Sequence, residues 1–206
     1  MTPNRSPDAF FGVSIRRLRA LWVVVALLVV CALLAAGGDE VRALLRYERH
    51  AIGSGEYWRL ITGHLVHLGF GHLWPNLAAL AIIGLLFEDV FSTADWLRVG
   101  AASAAAIDLG LYALEPNVVW YVGLSGVLHG YVAAGALALL VRREKLGAVL
   151  AICVAAKLTF EQVVGPVPFT AESVGGPVVV AAHLYGVVGG LLAEAAAQIA
   201  RRRSRV

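Results

Sequence analysis

The sequence predicts an all-α membrane protein with six transmembrane helices and both termini in the cytoplasm. Of its 206 residues, 59% are hydrophobic and only 15% are charged, whereas a water-soluble chain carries about 25% charged residues. Three stretches, 20–38, 60–87 and 116–141, contain no Asp, Glu, Lys or Arg. Each is close to or above the ~20 residues that a helix needs to cross a bilayer. These properties exclude a soluble enzyme, a nucleic-acid-binding protein and a disulfide-stapled secreted domain.

Six apolar runs, bounded by charges and turn residues, predict the helices in chain order. They cover Ala20–Gly37, Phe70–Phe87, Trp96–Leu114, Leu124–Val141, Leu146–Val164 and Pro177–Ala200. The first run follows three arginines, as a signal peptide would. It exceeds the ~7–15 residues of a signal-peptide core and five more runs follow it, so we expect a retained helix. The third run contains Asp108, an unusual residue for a span. Cys31 and Cys153 lie inside apolar runs and suggest neither a metal site nor a disulfide.

The basic residues predict the orientation, because positive charges concentrate in cytoplasmic loops. One side of the predicted membrane domain, shared by both termini, holds twelve of the seventeen: Arg5, Arg16, Arg17, Arg19, Arg98, Arg142, Arg143, Lys145, Arg201, Arg202, Arg203 and Arg205. The other side holds Arg42, Arg46, Arg49, Arg59 and Lys157. We therefore expect a cytoplasmic segment at 1–19, a membrane domain at 20–200 and a basic cytoplasmic tail at 201–206. The lipid bilayer is the expected partner, and nucleic acid is not.

The loop at about 38–69 is too long for a simple turn and is not plainly hydrophilic. Its aromatic and aliphatic residues alternate with Arg and Glu, and it includes the pair Trp58-Arg59. This mixture is typical of an element that lies in the membrane interface, with aromatic rings at headgroup depth.

Polar residues collect at the start of the second span, namely His64, His67, His72 and Asn76. His72 and Asn76 are four residues apart and therefore share one helical face. Interfacial histidines with one interhelical hydrogen bond would explain them, and a zinc site is an alternative. No His-Glu-x-x-His motif and no nearby carboxylate accompany them, so we expect no metal and no cofactor.

Two other spans carry polar residues beside faces of small residues. The fourth opens with Gly123-Leu124-Ser125-Gly126-Val127-Leu128-His129-Gly130, and the last contains His183 followed by Gly186 and Gly190. Small residues at every fourth position let two helices approach closely. Taken alone, the serine could bond to its own helix and the histidine could simply pack.

Together these residues predict an acyl-transfer site. Ser125 supplies a nucleophile and His183 a base, while His72 and Asn76 can donate hydrogen bonds to an oxyanion. The predicted orientation puts His72, Ser125 and His183 in the non-cytoplasmic halves of their three helices, a coincidence that packing alone does not require. His129, four residues after Ser125, either contacts His183 or only packs between the fourth and sixth spans.

These motifs resemble those of the rhomboid family of intramembrane serine proteases, from about Tyr57 to Gly190. The resemblance rests on Trp58-Arg59, His67, His72-x-x-x-Asn76, Glu88, Gly123-x-Ser125-Gly126 and His183-x-x-Gly186-x-x-x-Gly190. It implies a rhomboid-like bundle of six helices and a catalytic dyad of Ser125 and His183 that needs no third carboxylate. It also implies that His72, Asn76 and the Ser125 backbone N–H stabilise the oxyanion, with the other matched residues in supporting roles.

Within the family, the run from Gly123 to Gly130 is similar to the rhombosortase branch, since the more familiar bacterial rhomboids tend to have Tyr where His129 stands. That branch implies a bacterial inner-membrane protease that removes GlyGly-CTERM tails from exported proteins. Such a tail is a glycine-rich motif followed by a hydrophobic span and a basic end. The expected partners are therefore membrane-anchored proteins with a C-terminal hydrophobic span.

Three alternatives stay open at this point. One is a general rhomboid protease that cleaves single-span membrane proteins. Another is a pseudoprotease that binds membrane clients, although Ser125 and His183 are both intact. The third is a small transporter, for which inverted repeats would be expected and are not seen. The role of His64 also stays open, because the His64-x-x-His67 spacing departs from the family pattern.

Overall fold

The computed structural model describes residues 9–10, 13–168 and 176–204, with side chains from residue 21 onward. Much of the predicted cytoplasmic segment 1–19 and the last two residues of the predicted tail lie outside the described residues. Within them the chain forms nine helices and four two-residue strands. The helices are α1 (Ile15–Ala36), α2 (Gly38–Leu45), α3 (Arg49–Gly53), α4 (Arg59–Thr62), α5 (Phe70–Leu86), α6 (Thr93–Leu114), α7 (Ser125–Val141), α8 (Lys145–Val163) and α9 (Val180–Arg203). The strands are β1 (Ala9–Phe10), β2 (Val13–Ser14), β3 (Tyr47–Glu48) and β4 (Trp120–Tyr121).

The six long helices overlap the six predicted apolar runs, but some starts differ. The helix α1 begins at Ile15, five residues before its predicted start and within the predicted cytoplasmic segment, and α9 begins at Val180, three residues after its predicted start. The helix α6 begins three residues before its predicted start because Ser92 and Asp95 form a capping box: the Ser92 hydroxyl accepts from the Asp95 N–H, and the Asp95 carboxylate accepts from the Ser92 N–H. The helix α9 continues past Ala200 to Arg203, where basic side chains favour a helix C-terminus. The helical elements are therefore confirmed.

The number of membrane crossings is a separate question from the number of helices. In the described part of the chain, α6, α8 and α9 are long and apolar enough to span a bilayer. The pair α1 and α2 would make a fourth span, although it is bent by 117°. The helices α5 and α7 are apolar but have only 17 residues each, about 25 Å of helix. Six crossings and the cytoplasmic location of the termini stay predictions.

The centre of the bundle is α7, which contacts α5, α6, α8 and α9. It is hydrophobic all round, as expected of a helix surrounded by others. Its glycines face those of α9: a Cβ added to Gly126 would lie 2.8 Å from the Ala182 carbonyl oxygen, and one on Gly130 would lie 2.6 Å from that of Gly186. The predicted close approach of two small-residue faces is confirmed.

The predicted interfacial segment 38–69 folds into α2, β3, α3 and α4. Its buried anchor is Arg59, which donates to the carbonyls of Ala43 and Arg46 and pairs with Glu56. The strand β3 pairs antiparallel with β4, with Tyr47 opposite Tyr121. This segment therefore holds the chain just before α7 in place, while its depth in the bilayer stays a prediction.

The end of the bundle opposite Ser125 carries a network of charges. Arg201 of α9 donates to Asp95 of α6 at 2.9 Å, and Arg98 donates to the same carboxylate. Glu194, which is fully buried, lies 3.5 Å from Arg201. Arg98 and Arg201, which the sequence assigned to the same side, therefore share one end of the bundle.

Candidate active site

Ser125 is the first residue of α7, and a sharp turn at Gly123 determines its position. The backbone of Gly123 has a φ of +118°, which disfavours residues with a side chain. The ring of His72 packs directly over it, since an added Cβ would lie 2.6 Å from the ring. Tyr121 fixes the turn by donating to the Gly123 carbonyl at 2.7 Å. Because Ser125 begins the helix, its backbone N–H has no intrahelical acceptor and points out of the helix end, where it can donate to an oxyanion.

His183 lies in the first turns of α9, directly across from Ser125. The Ser125 hydroxyl and His183 Nε2 are 3.0 Å apart, a hydrogen-bond distance, and only 4% of His183 is exposed. The two helices place these side chains because Gly186, one turn after His183, packs against the carbonyl of Gly126. The structure thus brings together the predicted nucleophile and base.

His72 and Asn76 are the predicted oxyanion donors, and both are buried beside this pair. The Leu68 backbone N–H donates to His72 Nδ1 at 3.5 Å, which leaves the proton of a neutral ring on Nε2. Asn76 Nδ2 donates to the His72 carbonyl at 2.8 Å, and its second N–H is not used by that bond. Each side chain therefore retains one N–H that can bind an oxyanion.

All four of these residues line one cavity of 810 Å³. Its other walls are mainly apolar and come from α5, α7, α8 and the chain before α9; they include Ile83, Leu128, Val132, Val154 and Val179. This volume lies within the range of about 300–1,000 Å³ of ligand sites. An apolar peptide segment is the kind of ligand that such a cavity accommodates.

The structure adds a carboxylate that the sequence reasoning missed. Glu161 of α8 is 3% exposed, and its Oε2 accepts from His183 Nδ1 at 2.8 Å. Its other oxygen, Oε1, accepts from Lys157 Nζ at 2.5 Å, one turn earlier on the same helix. The signal was present in the sequence, since an acidic residue within a predicted span is a functional candidate by default. Only the fold, however, shows that it faces His183.

His129 stacks on His183, with ring centroids 4.2 Å apart and planes at 20°. Of the two alternatives considered from the sequence, contact with His183 is confirmed. His129 Nδ1 donates to the Ser125 carbonyl at 2.7 Å, which fixes its ring. His129, Glu161 and His183 also offer ligand atoms within 4.8 Å of one another, close enough for a metal ion. In this structure the two oxygens of Glu161 accept instead from His183 and Lys157.

The structure places only some of the remaining predicted site residues near the site. Trp58 is about half exposed and donates to the Leu44 carbonyl at 3.5 Å. His67 packs edge-on against His72, with 5.0 Å between ring centroids, and burial lowers the pKa of His67 to about 3. Glu88 follows the last turn of α5, at the end of that helix away from His72. Neither Trp58 nor Glu88 lines the cavity.

His64, whose role the sequence left open, pairs with Asp108. Its Nε2 lies 3.2 Å from the Asp108 carboxylate, and both residues are buried. The ring of His64 also packs edge-on against Tyr121. The pair therefore connects the segment before α5 to α6, and it accounts for an acidic residue within the third predicted span.

Comparisons with known proteins agree with this geometry. A family model described as Rhomboid domain matches residues 54–198, well over half of the chain. The chain is 30% identical over 141 residues to the putative rhomboid protease YdcA of Bacillus subtilis (strain 168), covering 68% of this chain and 67% of that protein. It is 25% identical over 153 residues to rhomboid protease GluP of the same strain, covering 72% of this chain but 28% of the relative. It is 38% identical over 69 residues to RHOMBOID-like protein 5 of Arabidopsis thaliana, covering 34% of this chain and 21% of the relative. The chain therefore belongs to the rhomboid family.

Proposed function

We propose that this protein is an intramembrane serine endopeptidase of the rhombosortase type, which removes GlyGly-CTERM tails from exported proteins at the bacterial inner membrane. The observation that carries the proposal is the 3.0 Å hydrogen bond between Ser125 and His183 in a mainly apolar cavity. Two of the relatives are named as proteases. The resemblance of the run from Gly123 to Gly130 supports the rhombosortase branch.

The acylation step follows from the positions of the side chains. The Ser125 Oγ attacks the scissile carbonyl carbon while its proton passes to His183 Nε2. The carbonyl oxygen becomes an oxyanion, which accepts hydrogen bonds from the Ser125 backbone N–H, His72 Nε2 and Asn76 Nδ2. Each such donor contributes about 2.7–4 kcal/mol in serine proteases. When the carbon–nitrogen bond breaks, His183 returns the proton to the leaving amine.

Deacylation uses the same groups with water as the nucleophile. Water loses a proton to His183 Nε2 and attacks the acyl carbon, and the proton then returns to Ser125 Oγ as the ester bond breaks. The products are a carboxylate on the released protein and an amine on the remaining tail. His129, bonded to the Ser125 carbonyl and stacked on His183, keeps both partners aligned through the two steps.

The architecture of a GlyGly-CTERM tail suits this site in two ways. Its glycine-rich motif precedes the hydrophobic span and its basic end follows it, so positive-inside orientation puts the motif at the non-cytoplasmic end. The predicted orientation puts Ser125 at that same depth. Glycine residues also carry no side chain, so the scissile backbone can approach a serine that lies between closely packed helices.

The test is a co-expression experiment with three membrane-anchored reporters. The first carries a glycine-rich motif, one hydrophobic span and an arginine cluster. The second replaces the glycines by leucine and is otherwise identical. The third has the same span but continues into a large cytoplasmic domain. Each is expressed with the wild type, Ser125→Ala, His183→Ala and the double variant, and products are identified by mass spectrometry.

The proposal predicts cleavage of the first reporter alone, and its loss in both single variants. Because a nucleophile and its base act as a unit, the double variant should be no worse than either single one. Equal cleavage of all three reporters would establish a general rhomboid protease instead. Stable capture without cleavage would indicate a pseudoprotease, and cleavage by Ser125→Ala would exclude serine catalysis.

A further inference from the structure

The buried carboxylate of Glu161 forms a continuous chain of hydrogen bonds with the candidate active site. The chain runs from Lys157 Nζ to Glu161, from Glu161 to His183 Nδ1 at 2.8 Å, and from His183 Nε2 to Ser125 Oγ at 3.0 Å. Three different helices, α7, α8 and α9, supply its members. A carboxylate on a transmembrane helix is costly unless it is paired, so its position requires a reason.

Chemistry gives this arrangement a definite consequence for His183. An ionised carboxylate only accepts hydrogen bonds, so the His183 nitrogen that faces Glu161 must carry the proton. A neutral His183 then has its lone pair on Nε2, the nitrogen that faces the Ser125 hydroxyl. That tautomer is the one that can remove the proton from Ser125. The carboxylate also stabilises the imidazolium that forms when the proton arrives.

Lys157 keeps the carboxylate in the state that this role requires. Its ammonium group contacts Glu161 Oε1 and favours the ionised form of the acid. Lys157 lines the same cavity as Ser125 and is 39% exposed on its side chain, whereas Glu161 is 3% exposed, so the lysine reaches from the cavity to a buried anion. Lys157 and Glu161 are four residues apart, so both side chains lie on the same face of α8 and can pair without help from another helix.

We propose that Glu161, held by Lys157, is the positioning residue of a Ser125–His183–Glu161 triad in this protein. The inference rests on the proposed serine protease function and goes beyond the dyad that the family resemblance implies. Glu161 fixes the tautomer and orientation of His183 without contacting the substrate carbonyl. Lys157 acts only through Glu161, because its ammonium group donates a hydrogen bond to that carboxylate.

The first test compares Glu161→Gln and Glu161→Asp in the full-length protein. Gln keeps the size of the side chain and loses the charge, whereas Asp keeps the charge and loses one methylene. The triad predicts a kcat lower by about 10²–10⁴-fold in Glu161→Gln with KM little changed, and at least partial recovery in Glu161→Asp. A purely packing role predicts the reverse order, with Gln active and Asp impaired.

Glu194→Gln is the matched control, because Glu194 is also a fully buried carboxylate but lies at the opposite end of the bundle. It should retain wild-type kcat. The lysine is tested by Lys157→Met, for which we expect a loss of about tenfold in kcat. A rise in KM with unchanged kcat would show that Lys157 binds substrate and does not hold Glu161.

A second measurement reads the tautomer directly. With the six histidines labelled by ¹⁵N and His183→Gln used for assignment, NMR of the wild type at alkaline pH should show the proton of His183 on Nδ1. In Glu161→Gln that preference should be lost. The same tautomer and the same kcat in both proteins would overturn the inference. Cleavage that survives in Ser125→Ala would instead overturn the proposed function, so the two failures are distinguishable.

Discussion

The contact between Gly186 and the backbone of Gly126 gives a quantitative prediction for activity. A Cβ added at Gly186 would lie 2.6 Å from the Gly126 carbonyl carbon and closer still to its oxygen. Carbon atoms in contact need about 3.5 Å, so Gly186→Ala must separate α7 from α9 by about 1 Å. Because Ser125 and His183 stand on these two helices, their 3.0 Å hydrogen bond would lengthen to about 4 Å.

Such a displacement should affect catalysis more than folding. A misplacement of about 1 Å can lower turnover by about 10²-fold, while overpacking reduces the free energy of unfolding by about 1–3 kcal/mol. The assay is kcat/KM on a purified reporter in detergent, with thermal unfolding of the same sample. Gly53→Ala is the control, since a Cβ there meets only the Tyr112 hydroxyl at 3.9 Å. Turnover by Gly186→Ala within twofold of wild type would show that this glycine contact does not set the distance between Ser125 and His183.

Three further predictions concern single residues. Asn76→Ala should lower kcat by about 10²-fold with KM unchanged, because its free N–H meets charge only in the transition state; a change in KM alone would reassign Asn76 to substrate binding. Arg59→Lys should lower the free energy of unfolding in detergent by about 2 kcal/mol, because Lys cannot reproduce the fork that reaches two carbonyls and Glu56; wild-type stability would contradict this. Asp108→Ala should remove the carboxylate that lies 3.2 Å from the buried His64 ring and reduce the unfolding free energy by about 1–3 kcal/mol, and an unchanged melting temperature would show that the pair is dispensable.

Much of the helical framework could be predicted because membrane spans and glycine faces are local patterns. The run from Phe70 to Phe87 differs from α5 by one residue, since charges and turn residues mark both ends. The faces of Gly126 and Gly186 predicted a close helix contact, and from it the meeting of Ser125 with His183. The number of membrane crossings could not be predicted in the same way. The helices α5 and α7 have only 17 residues each, fewer than the ~20 that a spanning helix usually needs.

Contacts between distant segments that no small-residue face or motif marks could not be predicted from the sequence alone. Glu161 lies 22 residues before His183, and no spacing rule shows that α8 turns it toward α9. The pairing of His64 with Asp108 is similar, since two separate elements supply its members. The pairing of β3 with β4 involves two residues on each side, too few for a strand pattern to be visible. In each case tertiary packing decides the partner.

The proposed chemistry requires that Ser125 is a nucleophile activated by His183. The most direct test is labelling of the detergent-solubilised protein with a fluorophosphonate, followed by peptide mass spectrometry to locate the adduct. We expect that the wild type is labelled on Ser125 and that His183→Ala and Ser125→Ala are both unlabelled. An adduct on another residue, or equal labelling of Ser125 in His183→Ala, would contradict it.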